Sequence, residues 1–311
     1  MKRISIGTWA YTIGPYAANP VPFDEVLQRL AAIGFDGLDL GSFAPHPTPE
    51  SCPTKADRQE LRRHLADRGL AFAAIAPDLW SLELITADSN ARYQDCFRNN
   101  LQFAADLGID CFRIDTVQPP TIFTQIPEPV AREQVVRTWR AAARDAADLG
   151  IRVVWEFEPG FAFNKPSDIT GIIEEIDHPN FTALFDTCHA HMCAAVGARQ
   201  PGERETLPGG ALELAQRLRG KIGHIHLIDS DGTLHDNETS THVPFGDGSL
   251  DFGALLTELN RSGCPSDWWT IDLCFWPDAW AVTERCKLYV DRLNEQYGGQ
   301  EKDEIAQRSP K

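Results

Sequence analysis

The sequence predicts a single-domain (β/α)8 barrel, and three observations carry that reading. A phrase recurs along the 311 residues: an amphipathic run, a glycine, then a short apolar run that ends in a charged residue. The glycines are Gly34, Gly69, Gly108, Gly150, Gly220 and Gly263, spaced roughly 35–43 residues apart with one gap twice as wide. The apolar runs are rich in Val, Ile, Leu and Phe, as in strands buried on both faces. The stretches between them place apolar residues at i, i+3, i+4 and i+7, the period of a helix with one buried stripe. Strand and helix repeated eight times in a right-handed sense close a barrel. A doubly wound open sheet would need two halves around a switch point, usually with a phosphate loop. Neither G-x-G-x-x-G nor a Walker pattern is present.

In chain order, RISIGTWA (3–10) opens the barrel, and VPFDEVLQRLAA (21–32) reads as the first helix. GLDL (37–40), LAFAAIAPD (70–78), IDCFRID (109–115) and IRVVWEFE (151–158) are the next four strands. Helical periods over 54–68, 90–107 and 128–149 separate them. Each glycine fits the position just past a helix end, where a left-handed backbone costs it little. In the wide gap His178-Pro179-Asn180 takes over that punctuation before FTALFD (181–186), the sixth strand. KIGHIHLID (221–229) and WWTID (268–272) complete the set. Residues 187–210 hold extra material, and 229–248 read as a long polar loop, long enough to suspect function. The barrel is expected over residues 1–297 and a polar tail over 298–311.

The net charge of −16 repels phosphate backbones and anionic lipid, which argues against nucleic-acid and membrane partners. No run approaches the roughly 18–20 apolar residues of a membrane span. The opening residues lack the apolar stretch of a signal peptide. These features predict a cytoplasmic protein whose eight cysteines, without a C-x-x-C pair, are buried thiols rather than a disulfide framework. A homo-oligomer stays open.

In such a barrel the active site is built where strands end. The ionisable residues there are Asp39, Asp78, Asp115, Glu156 with Glu158, Asp186 with His189, His224 with His226, and Asp272. Side chains alternate along a strand, so Glu156 and Glu158 share a face, as do His224 and His226. Strands five to eight thus aim Glu156, Asp186, His226 and Asp272 at one spot. Several carboxylates in a low-dielectric interior would raise each other's pKa unless a cation sat among them. One divalent metal resolves this. Manganese is the expected ion, with cobalt, magnesium and zinc as alternatives for mixed N/O donors. For Asp39 and Asp115 taken alone, helix capping is as credible as a site role. His224, one pleat deeper than His226, reads first as a partner behind the ligands or a packed core residue, and stays among the candidate substrate contacts. His235 and His242 lie in the long loop, where substrate contact and solvation are equally credible. Trp9, Tyr11, Trp80, Phe161, Phe163, Phe275 and Trp276 could wall the site for sugar C–H faces or simply pack the core.

The segments WEFEPG, FDTCHAH, HIHLID, HVPFGDGSLDF and WTID resemble the xylose isomerase-like sugar isomerase/epimerase superfamily over roughly residues 3–292. The resemblance implies that Glu156, Asp186, His226 and Asp272 bind one divalent metal and that His189 contacts substrate hydroxyls. It implies a small carbohydrate substrate and proton transfer by Glu156 and Asp272. Glu158, His224, Trp9 and His242 complete the expected substrate contacts. Two departures stand out. Asp272 is one methylene shorter than the usual Glu, and Glu158 stands where many relatives carry a neutral residue or His. A lyase, dehydratase or deglycosidase acting on a keto-sugar would use the same groups. A DNA-repair endonuclease of the superfamily would need further histidines on strands two and three, which here end in Asp39 and near Asp78. A non-catalytic binding barrel is the remaining alternative.

Overall fold

The computed structural model describes residues 1–87 and 89–299. Eight parallel strands form its centre: β1 (Arg3–Ile6), β2 (Gly37–Ser42), β3 (Ala71–Pro77), β4 (Cys111–Ile114), β5 (Arg152–Glu156), β6 (Phe181–Asp186), β7 (Ile222–Leu227) and, after the hairpin strands β8 (Asp229–His235) and β9 (Thr239–Val243), β10 (Trp268–Ile271). They are ordered β1-β10-β7-β6-β5-β4-β3-β2, and a bridge from Gly7 to Asp39 brings the two ends together. The fold is the single-domain (β/α)8 barrel the sequence predicts. The polar tail expected over 298–311 lies, from Gln300 onward, outside the described residues.

The helices α1 (Phe23–Ile33), α2 (Lys55–Ala66), α3 (Ala91–Leu107), α4 (Glu128–Ala147) and α5 (Pro166–Ile176) ring the first half. Then come α6 (Thr187–His191), α7 (Gly210–Arg217), α8 (Phe252–Arg261) and α9 (Ala279–Tyr297). Their stripes pack on the outer strand faces, where Trp139, Trp155 and Phe181 meet in one aromatic cluster. Local chemistry sets the ends. Thr54 and Asp57 cap α2 reciprocally, and Gly34 stops α1 at φ 90°, a value only glycine takes readily. In the wide gap the left-handed residue is Asp177 at φ 46°, not the following Pro179 or Asn180. Asp's short polar side chain tolerates that conformation.

Two excursions lie on the strand C-terminal side. The chain after β6 runs through α6 into a π turn over Met192–Val196, closed by Gly197 at φ 64°. The stretch read as a polar loop instead folds into an antiparallel hairpin, β8 against β9. Its turn passes through Asp236 and Asn237, both left-handed. The polar composition hid a strand whose inner side faces the site, with Ser240 and His242 buried. No disulfide links the cysteines, and among the described residues no helix is long and apolar enough to cross a membrane.

Candidate metal centre and active site

Inside the barrel the strands stack buried polar residues in two tiers. The lower tier is fully bonded. Asp39 on β2 accepts from the hydroxyls of Ser5 (2.9 Å) and Thr270 (2.9 Å) through one oxygen. Its other oxygen accepts from Nε2 of His224 (2.8 Å) and Nε2 of His226 (3.3 Å). Burial alone would raise the Asp39 carboxyl, but His224 and His226 hold it below the usual carboxylate range.

The upper tier is the predicted quartet. One ligand atom from each of Glu156, Asp186, His226 and Asp272 lies within 4.8 Å of the others, and all four are buried. The bond from His226 Nε2 to Asp39 leaves Nδ1 as the free ring nitrogen. Nδ1 stands 2.9 Å from Glu156 Oε1 and 3.4 Å from Asp272 Oδ2. Asp272 Oδ1 accepts from Trp9 Nε1 (2.9 Å) and from the Cys274 amide (2.9 Å). Asp186 Oδ1 accepts from the His189 amide at 2.8 Å as the cap of α6, leaving Oδ2 over the cluster.

Both oxygens of Glu156, Oδ2 of Asp186, Nδ1 of His226 and both ring nitrogens of His242 are buried without an aligned hydrogen-bond partner. Buried polar atoms almost always have partners. A knot of such atoms, lone pairs turned inward, fits a cation, and three carboxylates with one imidazole suit a divalent ion. The ionisation pattern agrees. Burial, reinforced by Asp272 and Glu156, pushes Asp186 up to about 7. Burial would raise Asp272 too, yet His242 and His226 hold it well below the usual range. Close acids of like charge cannot all ionise alone.

Above the quartet opens a cavity of about 320 Å³. Glu156 and Asp272 reach it; Asp186 and His226 lie beneath. His189, Glu158 and His242 line its wall, and His235 lines it from the hairpin. His189 Nδ1 meets the Ser240 hydroxyl at 2.8 Å, and its Nε2 stands 3.5 Å from Glu158 Oε2, which also accepts from the Thr239 hydroxyl. Burial lowers His189 to about 3, so its ring is neutral, and burial raises Glu158 to about 8. Trp80, Phe161 and Phe275 form the apolar side, with His235 stacked on Phe275 at 5.0 Å. Tyr11 and Phe163 pack the core instead, and Trp276 packs against it half-buried.

Two expected substrate contacts are placed elsewhere. His224 lies a pleat too deep to line the cavity, its ring held by Asp39, Thr270 (3.0 Å) and Ser266 (3.2 Å). Trp9 is 2% exposed, its N–H taken by Asp272 and its ring set against His226 at 5.5 Å. It buttresses the cluster rather than lining the cavity. One residue takes a role the sequence leaves open, and one is absent from the sequence reading. Asp39 orients His226 instead of capping a helix. Arg113 on β4 was overlooked, although it shares a strand face with Asp115. Its Nε donates to Asp115 Oδ1 (3.1 Å), and its Nη2 stands 2.5 Å from Glu156 Oε2.

The chain belongs to the xylose isomerase-like TIM barrel family, whose model matches residues 27–284. It is 21% identical to an inosose dehydratase of Geobacillus thermodenitrificans (strain NG80-2), over 82% of this chain and 83% of that protein. Among solved structures it is similar to an L-ribulose 3-epimerase with a TM-score of 0.72 and 17% identity, over 100% of both chains. It is also similar to the IolI protein with a bound zinc atom, with a TM-score of 0.70 and 17% identity, over 96% of this chain and 99% of that one.

Proposed function

We propose that this protein is a divalent-metal-dependent sugar isomerase or epimerase that moves a proton on and off the carbon beside a carbonyl. The observation that carries the reading is the division of the quartet. All four members converge within 4.8 Å, and two of them, Glu156 and Asp272, open into the cavity. Glu156, Asp186, His226 and Asp272 would hold the ion, with manganese expected and cobalt, magnesium or zinc as alternatives. A divalent ion there supplies Lewis-acid polarisation of a carbonyl and its neighbouring hydroxyl.

The chain's own residues do the rest. Glu156 and Asp272 stand three strands apart around the ring, so they can address a bound carbon from two sides. One takes the proton and the other returns it. Return to the opposite face inverts the centre; return to the neighbouring carbon isomerises the sugar. Neutral His189 is placed to bond substrate hydroxyls, and Trp80, Phe161 and Phe275 to cover C–H faces and exclude water.

The likeness to an inosose dehydratase favours one second reading, loss of water from the carbon β to the carbonyl after the same deprotonation. Incubation of the manganese-loaded protein with ketopentoses and ketohexoses in D2O, followed by NMR, separates the two. Deuterium beside the carbonyl with a new epimer or aldose supports the first, and a dehydrated product supports the second. Absence of exchange, product and bound metal alike would overturn both.

A further inference from the structure

The proton-transfer reading gives no role to the charged group that sits against Glu156 itself. Arg113 is 8% exposed, lies on β4 among the barrel-facing residues and lines the cavity beside Glu156. Its guanidinium is planar, so fixing two nitrogens fixes the third. Nε is held by Asp115, which in turn accepts from Trp80 Nε1 at 3.0 Å, and Nη2 is held by Glu156 at 2.5 Å. The hydrogen bond and ion pairs of Arg113 engage Nε and Nη2 and leave Nη1 for another acceptor. A permanent cation is thus clamped at the cavity floor with one N–H face left over, next to a carboxylate that would abstract a proton.

We propose that Arg113 is a catalytic residue whose Nη1 donates to the oxyanion formed when the substrate carbon beside the carbonyl loses its proton. The inference rests on the proton-transfer reading above. In that step the C–H bond breaks and its proton passes to the carboxylate. The bonding pair becomes the new C=C bond, and the carbonyl π pair moves onto oxygen as an ene-diolate. Reprotonation reverses each movement, so no other reactant is consumed. Negative charge appears on oxygen only as the reaction proceeds, and a rigid donor waiting for it stabilises the transition state more than the ground state. A clamp through Asp115 and Glu156 supplies that rigidity, because neither partner must move for Nη1 to act.

The test compares wild type with Arg113→Lys, Arg113→Gln and Arg113→Ala, each loaded with manganese. The wild-type enzyme is first shown to exchange solvent deuterium into its sugar. Failure there sinks the functional reading, whereas the inference is judged on the variants. Loss of one oxyanion donor costs about 10²–10³ in kcat, so Arg113→Gln should lose that much with KM little changed. Added guanidinium should restore part of the Arg113→Ala rate, a rescue that a folding defect would not show. Calorimetry supplies a readout independent of turnover. A sugar-derived hydroxamate, which mimics the ene-diolate, should lose at least tenfold in affinity for Arg113→Gln, while the parent sugar should bind as before. A rise in KM alone, equal loss for sugar and hydroxamate, or an unchanged kcat would overturn the proposal. Should Arg113→Ala fold poorly, Arg113→Lys decides. It keeps the charge but gathers its donors on one nitrogen of a flexible stem, without the planar fork that holds Nη1 in place, so a wild-type kcat there also overturns it.

Discussion

The two polar tiers inside the barrel are built from the same residue types, one pleat apart, and differ in one respect. In the lower tier Asp39 satisfies Ser5, Thr270, His224 and His226, so each oxygen and each donor has a partner. In the upper tier Asp186 Oδ2, His226 Nδ1 and both ring nitrogens of His242 crowd together without an aligned hydrogen-bond partner, around a Glu156 whose Oε2 pairs with Arg113. Burial is equal, so burial does not mark the site. The difference teaches that a completed network holds geometry, whereas an incomplete one with converging donors is reserved for something that arrives from outside. His226 belongs to both tiers, one nitrogen to each, and its ring joins the two.

The largest expected effect tests that division directly. His226→Ala removes the shared ring and should take the protein from one bound divalent ion per chain, by elemental analysis, to nearly none. Turnover should fall by roughly 10³-fold or more, because Lewis-acid stabilisation is worth several kcal/mol. Full metal content in this variant would make the upper tier no more a cation site than the lower.

A lone orphan atom elsewhere sharpens the comparison. His46 is buried and belongs to neither tier, its Nε2 donating to the Val21 carbonyl at 3.0 Å and its Nδ1 without a partner. No acid cluster surrounds it, so it reads as a cost rather than a site. Burial lowers its pKa from 6.5 to about 4. The folded state therefore binds this proton less readily than the unfolded chain does. Its contribution to stability is complete above pH 6.5 and is lost as pH falls toward 4, a gap worth roughly 3 kcal/mol. His46→Gln should flatten the denaturant-derived stability curve in that window. A slope equal to wild type would show that His46 carries no such cost.

How much of this was legible follows from the range of each signal. The eight strands follow from periodicity and from the spacing of helix-ending residues, which are local. Glu156, Asp186, His226 and Asp272 follow from strand-end position plus barrel topology, because period-two alternation and strand order fix where each side chain points. Asp39 was ambiguous because its role depends on contact across the barrel with β7, and one residue of sequence cannot tell a helix cap from a hydrogen-bond hub. His224 and His226 share a face, so only depth separates them. His242 depended on a polar segment folding inward as a hairpin. Arg113 is not legible in the sequence because arginine is rarely buried, and only the packing of β4 against Glu156 and Asp115 shows that this one is.

The smallest effect bears on how one tier serves the other. Asp39→Asn keeps the shape of the lower tier. The amide oxygen can still accept from His226, and the Ser5 and Thr270 hydroxyls can rotate to accept from the amide nitrogen. What disappears is the negative charge behind the imidazole. A carboxylate in that position fixes the tautomer and raises the basicity of the ligating nitrogen, so its loss should weaken metal affinity by about 10–100-fold. Turnover at saturating metal should change far less, since the four upper donors remain. Calorimetric titration of the metal-free variant with manganese measures the first quantity, and initial rates in excess manganese the second. Unchanged affinity beside a lowered melting temperature would reduce Asp39 to a structural hub, and the two tiers would then be neighbours without being coupled.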